Sequence, residues 1–286
     1  MRGLAAAAWL SSIEETILFC ETKWDCTVGE PFDLSYNFVA PVLMTENKAA
    51  VVKICRPLED FDNELSTLEH YKHSHACKVL DAIPDRGVLL LERVMPGINL
   101  KSVSEPEAIQ VITGLILNMQ SIAPPKSDLF TTTHDLSLGI KTLRNHFNGG
   151  SGPFKESTLE RVEQIFPEII STQAQPYLLH GDLHHENILL GNPGWTFIDP
   201  EGVLGSVEYE LMPFIVNNLP VRDIAATIEH RIDALAQILE LDARQLMKWG
   251  LCFSLLSAWW NIEDSIGLGQ GDLDLIEVFN NGISSK

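Results

Sequence analysis

Positive charge is scarce in this 286-residue chain, where 20 Lys and Arg stand against 39 Asp and Glu, for a formal net charge of −19 and a pI near 4.7. Such a surface repels a phosphate backbone and argues against nucleic acid as a partner. It tolerates a small cationic molecule, although a solubilising acidic coat alone accounts for most of those carboxylates. Cysteine is sparse as well: Cys20, Cys26, Cys55, Cys77 and Cys252 are odd in number and lack metal-ligand spacing. Reduced thiols in a cytoplasmic protein are expected, not a disulfide framework or a zinc site. No apolar run approaches the roughly 20 residues a bilayer demands, so no membrane partner is expected. Met1-Arg2-Gly3-Leu4, four alanines and Trp9-Leu10 look superficially like a signal peptide, but the apolar core is minimal and Glu14-Glu15 follow at once. The expectation is an amphipathic leading helix over residues 1–23. What the chain does have is a core: with 45% hydrophobic residues it can fill one large domain or two lobes.

The richest chemistry lies in Tyr177 to Glu201, YLLHGDLHHENILLGNPGWTFIDPE. An apolar run, Tyr177 to Leu179, leads into His180-Gly181-Asp182; Asn187 follows five residues after that Asp, and Ile188 to Leu190 leave as a strand. Gly191-Asn192-Pro193-Gly194 turns the chain, and Trp195 to Ile198 returns to deliver Asp199. Two carboxylates and an amide gathered by a loop and a hairpin suit a hard divalent cation and a hydroxyl awaiting a phosphoryl group. The spacing is kinase-like: an Asp against the acceptor hydroxyl, an Asn five residues on, and a second Asp for the metal.

His180-Gly181-Asp182-Leu183-His184 with Glu186-Asn187-Ile188-Leu189 resembles the catalytic signature of the aminoglycoside phosphotransferase superfamily. Ile198-Asp199-Pro200-Glu201-Gly202 resembles the metal-binding segment of its streptomycin 6-phosphotransferase and hydroxyurea-resistance branch. The resemblance implies an α+β, bilobal protein-kinase-like fold, with a small antiparallel-sheet nucleotide-binding lobe over 1–94 and a larger, mainly helical lobe over 95–286. It implies Asp182 as the catalytic residue, Asn187 and Asp199 as ligands of Mg²⁺, and ATP as phosphoryl donor, with GTP left open.

Upstream, the segment Phe32-Asp33-Leu34-Ser35-Tyr36-Asn37 sits where a kinase covers its phosphates, yet it is poor in glycine. By resemblance Ser35 and Asn37 offer hydroxyl and amide groups instead; as turn residues they would only satisfy local backbone. Ala49 to Cys55 is a β-branched run with Lys53 inside it. A lysine there must reach solvent or find an anion. Glu64, on a helix beginning near Asp60 or Asp62 with Leu65 and Leu68 facing inward, is the expected partner, and ATP phosphates the second. Lys78 to Ala82 and Gly87 to Arg93 read as a hairpin, and Met95-Pro96-Gly97 as a hinge. The resemblance places adenine against the main chain of Glu92 and Val94.

Beyond Gly97 the pattern turns helical. Ser104-Glu105-Pro106-Glu107 and Ser157-Thr158-Leu159-Glu160 read as capping boxes, and Asp135 to Phe147, Arg222 to Leu241 and Leu246 to Ile262 as helices. By resemblance Glu210 braces the catalytic loop or faces the acceptor, and Glu201 joins the acceptor side. Trp260, Glu263 and Asp264 combine an indole with two carboxylates, a floor for a cationic ring-shaped substrate. The expected activity is ATP-dependent O-phosphorylation of a small cationic molecule, an aminoglycoside such as streptomycin. An endogenous amino alcohol, amino sugar or homoserine is the enzyme alternative, and a non-catalytic nucleotide-binding regulator the other.

Overall fold

Along Phe38–Met44 every second residue from Phe38 to Val42 is buried, and Ala50, Val52 and Ile54 repeat the pattern on the next strand. That period of two builds a sheet with one apolar face. The computed structural model describes residues 2–32, 37–45, 48–55, 58–126, 129–172 and 176–285, so Ser35 lies outside the described residues. The chain divides into two compact units, Met1–Ile98 with Leu189–Glu201, and Asn99–Ile188 with Gly202–Lys286. Residues Leu189–Glu201, with Asp199, belong to the first unit.

In the first unit α1 (Arg2–Trp24) precedes β1 (Cys26–Val28), β2 (Phe38–Met44), β3 (Ala49–Ile54), α2 (Leu58–His70), β4 (Val79–Ile83), β5 (Val88–Glu92) and β6 (Ile98–Asn99). The strands β1-β2-β3-β5-β4 form one antiparallel sheet in that order. Ile13 and Cys20 of α1 pack on Ala40, Val52 and Leu90. Each large aliphatic side chain buried there contributes about 1.5–3 kcal/mol. On α2 the buried stripe is Phe61, Glu64 and Leu68, while Leu65 is only half-buried. Glu64 therefore lies on the inward face itself, not one position off a Leu65-Leu68 stripe.

The second unit carries α3 (Glu105–Gln120), β7 (Thr131–Thr132), α4 (Thr133–Ser137), α5 (Gly139–His146), α6 (Glu156–Ser171) and β8 (Tyr177–Leu179). The hairpin β9 (Ile188–Leu190) and β10 (Trp195–Phe197), which from Leu189 on belongs to the first unit, is followed in the second by β11 (Val203–Gly205), α7 (Val207–Val216), α8 (Ile224–Leu239), α9 (Ala243–Glu263) and α10 (Gln270–Ser285). The small sheets run β10-β9-β6 and β7-β11-β8. Within the first unit Phe197 is held by Cys77 N to Phe197 O at 2.9 Å and Phe197 N to His75 O at 2.8 Å. In α9, Trp249, Leu251, Leu255 and Trp259 are buried, as its all-round apolarity demands. Among the described residues no helix is long and apolar enough to cross a membrane.

The capping expectations are corrected. Ser104 stands at the N-cap of α3 without a side-chain bond, and Glu105 beside it pairs with Arg231. Helix α6 starts at Glu156 after Lys155, so Ser157 is already inside it. The reciprocal box is formed by Thr132 and Asp135 at α4, and the helix expected over 135–147 breaks at Leu138. Helix α10 escaped the sequence reading.

Candidate active site

The first unit builds its half of the chemistry from a buried charge. β3 carries Lys53 inward, leaving it 3% exposed, and α2 sets Glu64 Oε2 2.5 Å from its Nζ. Lys53 also bonds Asp199 Oδ1, which the β9-β10 hairpin delivers. Asp199 adopts a left-handed backbone with φ of 61°, an uncommon conformation that Asp tolerates and that aims its carboxylate. Burial pulls the Lys53 ammonium toward deprotonation, but the Glu64 and Asp199 carboxylates outweigh it and hold its pKa above the usual lysine range. Burial pushes the Glu64 carboxyl up to about 7 against the pull of Lys53, whose charge is shared with Asp199.

These three groups help to line a 460 Å³ cavity within the first unit, together with Asn37, Glu92 and Val94. Val51, Leu91 and Leu189 supply apolar walls. An apolar slot with a cation in its lining suits a planar base followed by phosphates. The Glu92 N–H is already engaged by Lys78 O at 2.9 Å, and its carbonyl faces the Cys77 thiol at 3.4 Å. Val94 makes no main-chain hydrogen bond to another described residue, so both its groups remain available to a ligand. Just beyond it Gly97 takes φ of 74°, and a Cβ there would stand 2.9 Å from Val94 O. Only glycine makes that turn without strain. Its N–H then donates to Leu190 O at 2.9 Å.

The second unit holds its loop by backbone instead. Strand β8 ends at Leu179, and buried Glu210 on α7 accepts the His180 and Gly181 N–H groups that follow, each at 2.9 Å. Gly181 reaches φ of 91° to aim its N–H there, which a side chain would resist. Glu210 is 1% exposed with both oxygens occupied by loop N–H groups, the bracing position of the two that the resemblance allows, and not one facing an acceptor. Asp182 follows with its side chain 41% exposed, and Asn187 Nδ2 donates to the Asp182 carbonyl at 3.0 Å and to Oδ2 at 3.3 Å. That orientation leaves the Asn187 amide oxygen as a donor atom for a hard cation.

Behind the loop, His185 stacks on Phe214 at 4.4 Å. Burial and the neighbouring Arg231 guanidinium push the His185 imidazole down to about 4, so it is neutral. Arg231, fully buried on α8, pairs with Glu105 at 2.5 Å and donates to the carbonyls of Phe214, Ile215 and Asn217 at the end of α7. A helix C-terminus leaves such carbonyls without intrahelical partners, and here one guanidinium satisfies three. Sequence reasoning missed this clasp. Its signal was the one that flagged Lys53, a charge set in the apolar stripe of Ile228, Ile232 and Leu235.

Of the remaining expected residues, Glu201 is exposed in the first unit. Trp260 is half-buried and Glu263 and Asp264 exposed at the end of α9, whereas Trp259 is the core indole. Among the described residues no three His, Cys, Asp or Glu side chains gather as a metal cluster. A kinase site does not require one, since phosphate oxygens and water complete the shell of Mg²⁺.

Residues 24–265 match the family described as aminoglycoside/hydroxyurea antibiotic resistance kinase. The chain is 25% identical over 269 residues to streptomycin 6-kinase of Streptomyces glaucescens, covering 92% of this chain and 87% of that one. In fold it resembles the choline kinase LicA of Streptococcus pneumoniae, with a TM-score of 0.69 at 16% identity over 96% of this chain and 99% of that one. It also resembles an aminoglycoside phosphotransferase solved with ADP and hygromycin B, with a TM-score of 0.63 at 15% identity over 94% of this chain and 98% of that one. The chain therefore belongs to the aminoglycoside/hydroxyurea antibiotic resistance kinase family and is an ATP-using small-molecule phosphotransferase of protein-kinase-like fold.

Proposed function

We propose that the chain transfers the γ-phosphoryl group of Mg·ATP to a hydroxyl of an aminoglycoside of the streptomycin type. The observation that carries the reading is the cavity of the first unit, lined by a buried lysine that two carboxylates hold. Lys53 would neutralise the phosphates and Glu64 would hold it in place. Val94, with the carbonyl of Glu92, would meet adenine, and Asn37 would contact the nucleotide in the same cavity. Ser35, which the motif places beside Asn37, is assigned the same role. Mg²⁺ is assigned to Asn187 and Asp199 on the motif spacing, and when bound it supplies charge neutralisation of the phosphates. The free amide oxygen of Asn187 and the partly exposed carboxylate of Asp199 fit that hard cation.

Asp182 accepts a hydrogen bond from the acceptor hydroxyl and aligns it. In a loose phosphoryl transfer that alignment contributes more than early deprotonation. The net charge of −19 and the exposed Glu201, Glu263 and Asp264 favour a cationic acceptor, with Trp260 as a wall for its ring. Streptomycin is the acceptor named for the relative above, and hygromycin B the ligand of the structural neighbour. The test is coupled ADP release with Mg·ATP across streptomycin, other aminocyclitols, hydroxyurea, choline, amino sugars and homoserine. Stimulation by streptomycin supports the reading. Stimulation by choline or homoserine alone would transfer it to an endogenous acceptor, and nucleotide binding without any acceptor-stimulated ADP would leave a regulator.

A further inference from the structure

We propose that His184 is a positioning residue which fixes the Asp182 carboxylate so that Oδ1, and not Oδ2, meets the acceptor hydroxyl. The inference rests on the reading of Asp182 given above and extends it to a residue the motif spacing did not single out.

The tautomer of His184 follows from its neighbours. The Glu186 N–H donates to His184 Nδ1 at 3.1 Å, so that nitrogen presents its lone pair. In a neutral imidazole the hydrogen then sits on Nε2. His184 Nε2 lies 3.3 Å from Asp182 Oδ2, and the same oxygen receives the Asn187 amide at 3.3 Å. Two N–H groups thus converge on Oδ2. No hydrogen bond from a described residue reaches Oδ1, and the Asp182 side chain is 41% exposed.

The support behind the imidazole is built as well. Lys101 Nζ holds Glu186 Oε1 at 2.9 Å, and the His185 carbonyl accepts the Leu100 N–H at 3.1 Å. Both contacts steady the turn that presents the Glu186 N–H to His184. With its side chain only 19% exposed, His184 is not a freely solvated surface histidine. A half-turn of the carboxylate only exchanges two equivalent oxygens, but every angle between carries the held oxygen out of the field of the two donors. Without the imidazole, one donor remains and the torsion loosens. Small losses of alignment at a reacting hydroxyl are costly in turnover and leave ground-state nucleotide binding untouched.

The experiment compares two amides at this position in the full-length protein. In His184→Gln the side-chain nitrogen can stand where Nε2 stood and donate to Asp182, while the bond from the Glu186 N–H is weakened. In His184→Asn the amide oxygen can still accept that N–H, but the side chain is too short to reach Asp182. Steady-state kcat and KM for Mg·ATP and for the best acceptor are read beside the nucleotide-induced shift in Tm. Positioning predicts that His184→Asn loses on the order of 10- to 100-fold in kcat, with KM for Mg·ATP within about twofold of wild type. His184→Gln should stay within about fivefold of wild-type kcat, on the same reasoning. If His184→Gln turns over no faster than His184→Asn, whatever the level of either, the inference is overturned and His184 serves only the loop. Absence of turnover in the wild type with every acceptor sinks the proposed function instead. A wild type that works, an Asp182→Ala that is dead and two equal His184 variants remove this inference alone.

Discussion

The two units hold their functional groups by opposite means. In the first, charge holds charge: Lys53 sits between Glu64 and Asp199, and each ion is placed by its partners. In the second, backbone holds the loop: Glu210 collects two N–H groups, Asn187 returns to the Asp182 carbonyl, and Arg231 closes the carbonyl end of the supporting helix. The difference matches the tasks proposed for each. A lysine meant for phosphates must stay charged in a buried slot, which requires carboxylates nearby. An aspartate meant for a hydroxyl needs a fixed direction more than a shifted affinity for protons, and hydrogen-bonded backbone supplies direction.

The comparison breaks most sharply at Glu210. Glu210→Ala strands two buried N–H groups, each worth about 1–3 kcal/mol, so urea unfolding should show a loss of roughly 4 kcal/mol. Glu210→Gln keeps one acceptor and should recover about half of that loss. On the other side, Lys53→Met leaves Glu64 without its ammonium, at a cost of about 3 kcal/mol near pH 8. That cost should shrink as the pH is lowered and Glu64 takes up a proton, and the thermal shift with Mg·ATP should vanish. A Lys53→Met penalty that does not change with pH would erase the distinction.

Acidity sharpens the contrast without removing a contact class. The folded Glu64 carboxyl titrates at about 7 against an ordinary 4.5, so between those values the folded chain holds more protons and stability falls as pH rises. The folded His185 imidazole titrates at about 4 against an ordinary 6.5, so the unfolded chain holds more protons between them and stability rises with pH. The two contributions oppose each other in the wild type. Denaturation midpoints from pH 4.5 to 6.5 should climb more steeply in Glu64→Gln than in wild type, and less steeply in His185→Phe. Parallel profiles would show that neither group carries the charge assigned to it.

The smallest effect concerns two helix starts. Thr132→Ala removes a formed capping box and should cost about 1 kcal/mol, whereas Ser104→Ala removes a hydroxyl that caps nothing and should stay within about 0.3 kcal/mol. Thermal melts of the two variants measure the gap.

Much of the site was legible because chemistry and spacing coincide in sequence. The interval from Asp182 to Asn187 is local, the turn at Gly191 to Gly194 announces the hairpin, and Lys53 stands out in a β-branched strand. Glu64 was found although the stripe of its helix was centred one residue away. What stayed hidden depends on partners far apart in the chain. Glu105 carries no local sign of its role, because its partner Arg231 lies 126 residues on. Glu210 could not be divided between brace and acceptor contact until its burial was known. Helix α10 has no motif of its own and is fixed by packing against α9. Local pattern reads catalytic loops well, since their geometry is made by neighbours in sequence; it reads support poorly, since support is tertiary.

One measurement bears most directly on the whole account: ³¹P NMR of the products formed from Mg·ATP and streptomycin by wild type and by Asp182→Ala. The account predicts a phosphomonoester resonance together with ADP for the wild type, and neither for Asp182→Ala, which should still show its nucleotide-induced thermal shift. A phosphomonoester formed at undiminished rate by Asp182→Ala, or ADP with free phosphate and no phosphorylated acceptor from the wild type, would contradict it.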